Sequence, residues 1–452
     1  MKGKIIKLKN GGVLVYQRSR LNNSSAVEVG FSVGAECDKK KGTAHFLEHT
    51  LFKKTKNRTN AEVERDRNKI VFLNASTSAD CLYVRFFRTN KLIKKSLEFA
   101  YDVLMNSVLD DEFVESEKGV IKEELKMCLD EENQDIYLKN FKQSVGGSIV
   151  ASDVVGSKEE NVESIQFEDL KEFKDKYFVG NNFICSVVSS LPCSKIKRLI
   201  NSIFVARIPK KDNYQKPSSY FERIKVDGKT SLNIVNQAKE KVSVLMSFKM
   251  NVSEEDIYAK NYNYTFLARY LSGSQGNLFL KLRNEGLIYR IAVDFSNFKD
   301  TSLFNIEFET SKEKIKQTID VIKDEIKNVC ENLVSEDLIC EYRQNLEYYA
   351  DEKMPTKMTS KCHANIVDYL RLGKLFRLTK RQKKMLRKGV CPEGVKTVAG
   401  AIFNKNTEMY VTILGNVSKN DVPTLEYFKE NFLIVEWEIY DQGKCERTCW
   451  KV

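Results

Sequence analysis

At 452 residues the chain is too long for a single hydrophobic core, so two to three domains are expected. Hydrophobic residues at 42% beside charged residues at 30% describe a soluble globular protein. The net charge of +12 is spread over many helix faces and turns, and its one dense run, Lys380 to Lys388, comes without a nucleic-acid motif and reads as a solvated helix face.

The N-terminal stretch Met1–Lys9 alternates like a strand and has no long apolar region, which speaks against a signal peptide. Nowhere does an apolar run approach the length of a membrane span. Ile5–Leu8 and Val13–Gln17 flank Lys9-Asn10-Gly11-Gly12, and Asn-Gly between alternating runs is a strong hairpin signal. Ala26–Val33 is a third strand. A polar loop over Cys37–Thr43 then leads into Thr43-Ala44-His45-Phe46-Leu47-Glu48-His49.

On a helix, residues four apart share a face, so His45 and His49 present their imidazoles side by side, an arrangement suited to zinc. Glu48 falls three residues after His45 and points to nearly the same face, where a carboxylate can hold and deprotonate a water. The chain has only three histidines, and two fall here. The order His-x-x-Glu-His is the inverse of His-Glu-x-x-His and is the inverzincin signature. A structural zinc would normally be closed by four Cys or His ligands. The motif contains no Cys, so one catalytic Zn2+ per chain is the expectation.

Arg58–Lys69 reads as a second short helix. Ile70–Ser76, which contains Asn74-Ala75, and Cys81–Phe87 read as strands. Lys91–Ser107 and Asp111–Asp130 carry apolar residues at helical intervals. Two histidines leave a catalytic zinc one protein ligand short. Asp111–Asp130 offers Glu117, Glu123 and Glu124: Glu117 and Glu124 are two turns apart on one face, and Glu123 is rotated about 100° from Glu124. One of these carboxylates can ligate zinc while another on the same face supports the site.

At this point three segments, G-T-A-H-F-L-E-H-T-L-F-K-K-T-K-N-R, F-L-N-A-S-T-S and E-K-G-V-I-K-E-E-L, resemble the insulinase/pitrilysin class of zinc peptidases, and within it the shorter bacterial and mitochondrial-processing-peptidase beta-like members. The resemblance implies that the distal ligand is Glu124, 75 residues beyond His49. It implies that Glu117 supports the metal site without touching the metal. The backbone of Asn74-Ala75 would pair with substrate. The likeness continues through Val155–Glu160, Phe167–Asn182 and the strand Phe183–Ser189.

Ile208–Ser219 is polar, holds two prolines and reads as a linker. The pattern then repeats. Strands are expected at Leu232–Val235, Val242–Met250, Tyr289–Phe295, Leu303–Phe308 and Met409–Leu414. Helices are expected at Ala259–Leu271, Leu278–Asn284, Lys312–Val329, Glu336–Ala350, about Lys357–Leu372 and Val422–Glu430. The shared order points to an internal duplication, and its second copy lacks His-x-x-Glu-His. The glycines of Ser272–Asn277 lack phosphate-loop spacing and read as a turn between helices. His363, the third histidine, receives no role. The stretch Leu271–Tyr289 resembles the family's second substrate-binding element, which implies that Arg283 and Tyr289 contact the peptide near the zinc.

The division expected is 1–208, a catalytic zinc-binding domain, 209–220, a linker, and 221–452, a homologous substrate-binding domain without zinc. The fold class is α+β, with two homologous domains that the family pairs as a clamshell. The function implied is a zinc endopeptidase that cuts unstructured peptides or precursor segments in an enclosed chamber, with Glu48 as base. Two alternatives stand beside it: a subunit of a heteromeric processing peptidase, and a non-catalytic peptide-binding protein stabilised by zinc. The partners expected are peptide substrates and a second copy in a homodimer, with a homologous subunit in a heterodimer as the alternative. No nucleic-acid or membrane partner is expected. Eleven scattered cysteines without CxxC pairs favour a reducing, cytoplasmic location. Cys445 and Cys449 make at most half a metal site.

Overall fold

The structure is a computed structural model that describes residues 3–20, 23–130, 134–144, 151–217, 229–250, 252, 257, 262–273, 277–297, 302–349, 355–375 and 389–436. The basic run at 380–388, the Cys445/Cys449 tail and residues 274–276 of the glycine turn lie outside them.

The first sheet contains β1 (Lys4–Lys7), β2 (Val13–Arg18), β3 (Ser24–Phe31), β4 (Val71–Thr77), β5 (Leu82–Thr89) and β6 (Phe183–Ser189). Its order is β1-β2-β6-β3-β5-β4. The Asn10-Gly11 turn joins β1 and β2 as an antiparallel pair. The second sheet contains β7 (Ser231–Asn236), β8 (Lys241–Met250), β9 (Arg290–Asn297), β10 (Ser302–Ser311) and β11 (Met409–Gly415), in the order β7-β11-β8-β10-β9.

The two sheets share one plan. Without β1, the first reads β2-β6-β3-β5-β4 and superposes strand by strand on the order of the second. The pairing senses also agree. β2 and β6 are parallel, like β7 and β11. β3 is antiparallel to β6 and β5, as β8 is to β11 and β10. The last pairs, β4 with β5 and β9 with β10, are antiparallel too. The duplication expected from element order is therefore present in the hydrogen-bond topology.

In chain order, the helices of the first repeat are α1 (Thr43–Thr50), α2 (Asn60–Arg67), α3 (Ile93–Asn106), α4 (Asp111–Asp130), α5 (Gln134–Ser144), α6 (Ala151–Val155), α7 (Glu159–Ser164), α8 (Phe167–Tyr177) and α9 (Cys193–Ile200). The second repeat carries α10 (Asn263–Ser272), α11 (Asn277–Asn284), α12 (Ile315–Glu331), α13 (Glu336–Tyr349), α14 (Pro355–Leu372), α15 (Pro392–Ile402) and α16 (Leu425–Phe432). No helix among the described residues is long and apolar enough to cross a membrane.

The chain forms two compact units that do not follow a single cut in sequence. One holds the first sheet with α1–α4, α6–α9 and α14. The other holds the second sheet with α5 and the remaining helices. Within the first unit, one face of the sheet meets α1, α3 and α8 in a core that includes Phe31, Phe46, Phe86, Leu97, Leu170 and Phe204. Its opposite face is covered by α14, through Met358 and Cys362 against Ala26 and Val188, and through Ile366 against Cys81, Tyr83 and Ile184. Within the second unit, α5 takes the corresponding place: Ile136 packs with Leu245 and Leu414, and Phe141 with Leu303 and Tyr410. Asn140 Nδ2 donates to the Tyr410 carbonyl at 3.1 Å.

The polar segment after α9 is fastened over part of its length. The Gly180 amide donates to the Pro209 carbonyl at 2.9 Å, and Lys211 N to Asn181 Oδ1 at 2.7 Å. Tyr214 meets Asn182 Nδ2 at 2.6 Å.

Candidate active site

Helix α1 forms where it does because its first turn is capped from outside. Asp38 accepts hydrogen bonds from the amides of Gly42 and Ala44, each at 2.9 Å, which satisfies donors that the helix start leaves open. Burial pushes the Asp38 carboxyl up to about 7, against the backbone amides of Ala44, Gly42 and Thr43 that pull it down. Gly42 precedes the helix at φ +92°, a backbone geometry that favours glycine, and a side chain there would stand 2.7 Å from the Val155 carbonyl oxygen. Ala44, Phe46 and Leu47 face the core fully buried. Burying Phe46 and Leu47 contributes about 1.5–3 kcal/mol each, which fixes the rotation of the helix and so the direction of His45, Glu48 and His49.

The loop that follows α1 is held by a buried carboxylate. Asp102 on α3 receives Thr55 Oγ1 at 2.6 Å, Asn106 Nδ2 at 2.8 Å, and the side chains of Asn57 and Arg58. These partners anchor the loop that follows the motif.

The imidazoles of His45 and His49 lie with their centroids 4.7 Å apart. Glu124 on α4 reaches both: its Oε1 is 3.5 Å from His45 Nε2, and its Oε2 is 3.2 Å from His49 Nε2. One donor atom from each of the three residues lies within 4.8 Å of the other two. Two imidazole nitrogens and one carboxylate oxygen are the protein share of a catalytic zinc site that leaves one position open, so the donor set fits the metal. Glu117 stands behind His49, with Oε1 2.9 Å from Nδ1, and Lys53 Nζ closes the row 3.0 Å from Glu117 Oε2. That arrangement orients the His49 ring and leaves Nε2 for a metal. Among the described residues His45 has no counterpart support: its Nδ1 is buried without a hydrogen-bond partner there.

The charges follow from this geometry. Burial pulls His49 down, but its bonds to Glu117 and Glu124 outweigh that and push the imidazole up to about 9. The His45 and His49 rings hold Glu124 well below the usual carboxylate range. The His49 bond and Lys53 hold Glu117 low despite its burial.

Glu48 leaves the same helix toward the first sheet, where Thr77 Oγ1 donates to its Oε2 at 2.6 Å. Thr77 ends β4, the edge strand that also carries the exposed Asn74 and the buried Ala75. The sequence reading missed Thr77, Lys53, Asp38 and Asp102. Thr77 was detectable in principle, because period-two alternation puts it on the face of Ala75, the face toward α1.

Arg283, near the end of α11, and Tyr289, just before β9, belong to the second unit, and both are exposed. The Tyr289 amide donates to the Glu309 carbonyl at 2.8 Å, and Lys241 Nζ lies 5.5 Å from the Tyr289 ring centre. His363, which received no role, sits on α14 with Nδ1 3.0 Å from the buried carboxylate of Glu28.

Residues 13–147 match the family model described as Insulinase (Peptidase family M16), and residues 164–346 match Peptidase M16 inactive domain. An uncharacterised zinc protease of Rickettsia bellii is 24% identical over 364 residues, covering 78% of this chain and 85% of that protein. The beta subunit of the mitochondrial-processing peptidase of Saccharomyces cerevisiae is 30% identical over 216 residues, 46% of this chain and 45% of that one. A protease from Helicobacter pylori has the same fold, with a TM-score of 0.75 across 92% of this chain and 99% of that chain, at 19% identity.

Proposed function

Because this chain belongs to the insulinase family, peptidase family M16, we propose that it is a zinc-dependent endopeptidase acting on unstructured peptides. The observation that carries this is the meeting of His45, His49 and Glu124 within 4.8 Å, with the Glu48 carboxylate on the same helix as the histidines. His45, His49 and Glu124 would hold one zinc, which supplies polarisation of the scissile carbonyl and acidification of water. Glu48 takes the proton of the attacking water and later returns it to the leaving amine. The substrate adds as a strand along β4 at Asn74-Ala75, so main-chain hydrogen bonds supply affinity with little demand on sequence. The resemblance assigns Arg283 and Tyr289 to the peptide, steadying its carbonyls. The scattered cysteines support a reducing, cytoplasmic setting, and a homodimer is the simplest assembly.

Folded proteins cannot offer an extended strand, because their edges are paired or protected. A flexible peptide can, at a cost of about 1–2 kcal/mol per ordered residue. The zinc-loaded chain is therefore expected to cut a quenched peptide and to spare the same sequence embedded in a tightly folded domain. Equal rates on the two would overturn the enclosed chamber, and no cleavage of either would overturn a peptidase that acts without a second kind of subunit. The likeness to a processing-peptidase beta subunit favours a second reading, a subunit of a heteromeric peptidase. On that reading, the purified chain alone would bind zinc without cleaving.

Tyr289→Phe tests the second half. It removes one hydroxyl from an exposed side chain, so fold and zinc content stay as in the parent. Turnover is expected to fall by about tenfold, the worth of one hydrogen bond to a reacting peptide. A variant indistinguishable from the parent in peptide cleavage removes Tyr289 from the site.

A further inference from the structure

We propose that Thr77 is a positioning residue that ties the Glu48 base to the strand on which substrate is laid; the proposal rests on the peptidase reading above. Its Oγ1 donates to Glu48 Oε2 at 2.6 Å, a short charge-assisted bond, and it is the hydrogen-bond partner of that carboxylate among the described residues. With Oε2 engaged by a donor, Oε1 is the oxygen left to accept a proton from water. A glutamate has three rotatable side-chain bonds, so a carboxylate without this restraint samples several directions, and proton transfer needs one of them.

The backbone beneath Thr77 is itself clamped. The next residue, Ser78, accepts from the Ala35 amide at 3.0 Å, and Ala79 accepts from the Glu36 amide at 3.1 Å. Ser78 N donates to the Cys81 carbonyl at 2.8 Å, closing the β4–β5 turn. Gly34 makes the approach possible: a side chain there would stand 2.0 Å from the Ser78 carbonyl oxygen. The loop leading to α1 and the turn after β4 thus form one rigid piece, with the base at one end of the Thr77 bond and the edge strand at the other. Thr77 pairs with Leu82 and is three residues from Asn74, so a peptide added to β4 lies on the strand that aims Glu48.

The test compares Thr77→Val, which keeps the shape and loses the hydroxyl, with Thr77→Ser, which keeps the hydroxyl. Thr77→Val is expected to lower kcat on a quenched peptide about 10- to 100-fold. KM, zinc content and Tm are expected to match the parent, and Thr77→Ser to restore most of kcat. Crystal structures of the zinc-loaded parent and of Thr77→Val supply a readout without turnover: the Glu48 carboxylate is expected to leave its place beside β4 in the variant only. An unchanged kcat, an unchanged Glu48 conformation, or a Thr77→Ser as impaired as Thr77→Val would overturn the proposal. A parent that cleaves nothing overturns the reading of this chain as a peptidase active by itself, and the pair of crystal structures still decides the role of Thr77.

Discussion

Replacing Glu48 by Gln is expected to leave zinc bound and to remove hydrolysis. The amide has the volume of the carboxylate, and its oxygen still accepts from Thr77 Oγ1, so α1 keeps its packing on Phe46 and Leu47. The three metal donors do not include Glu48. The variant loses only the ability to accept a proton, because an amide is not a base at neutral pH. General-base catalysis supplies typically about 10²- to 10⁴-fold, and kcat is expected to fall by that much. The measurement is turnover of a quenched peptide beside metal content for the same preparation. Near-normal turnover with zinc in place would show that another group takes the proton.

The second large effect belongs to Glu124. Its carboxylate is the anionic donor of the set and the group that joins both imidazoles. Glu124→Gln is expected to weaken zinc binding by more than the roughly 10- to 100-fold typical of losing an outer partner such as Glu117. A chelator competition series on Glu124→Gln and Glu117→Gln measures the difference. Parent-like affinity in Glu124→Gln would exclude it as a ligand.

Protons compete at this site with a definite sign. His49 in the metal-free protein is raised from 6.5 to about 9, so at pH 7 it holds a proton that zinc must displace. Zinc affinity is therefore expected to climb with pH up to about 9. In the metal-free fold, the pairing of protonated His49 with Glu117 and Glu124 stabilises fully below about pH 6.5 and is lost as pH rises through 9.

Some of this was decided by local sequence. A spacing of four on a helix can be read without any structure, because the helical repeat is a property of the backbone. So can the Asn10-Gly11 hairpin and the repeated order of strands and helices. The same periodicity narrowed the third donor to the face of α4 that carries Glu117 and Glu124. It left open which of them meets the metal, because that depends on where α4 crosses α1. The resemblance chose Glu124, and the tertiary structure puts Glu124 at both Nε2 atoms and Glu117 behind His49.

Other features had no local signal. The stretches forming α5, α9 and α15 gave no helix expectation. The helices α5 and α14 cover sheets of the unit opposite to their own repeat. An apolar stripe states that a helix must be covered and not by what, since hydrophobic burial has no direction. The bond from Thr77 to Glu48 joins residues 29 apart in sequence, and the pairing of His363 with Glu28 spans 335. Short-range patterning carries no record of such contacts. They exist because the strands of the first sheet and the helices packed on it come within hydrogen-bond reach, which only the folded chain determines.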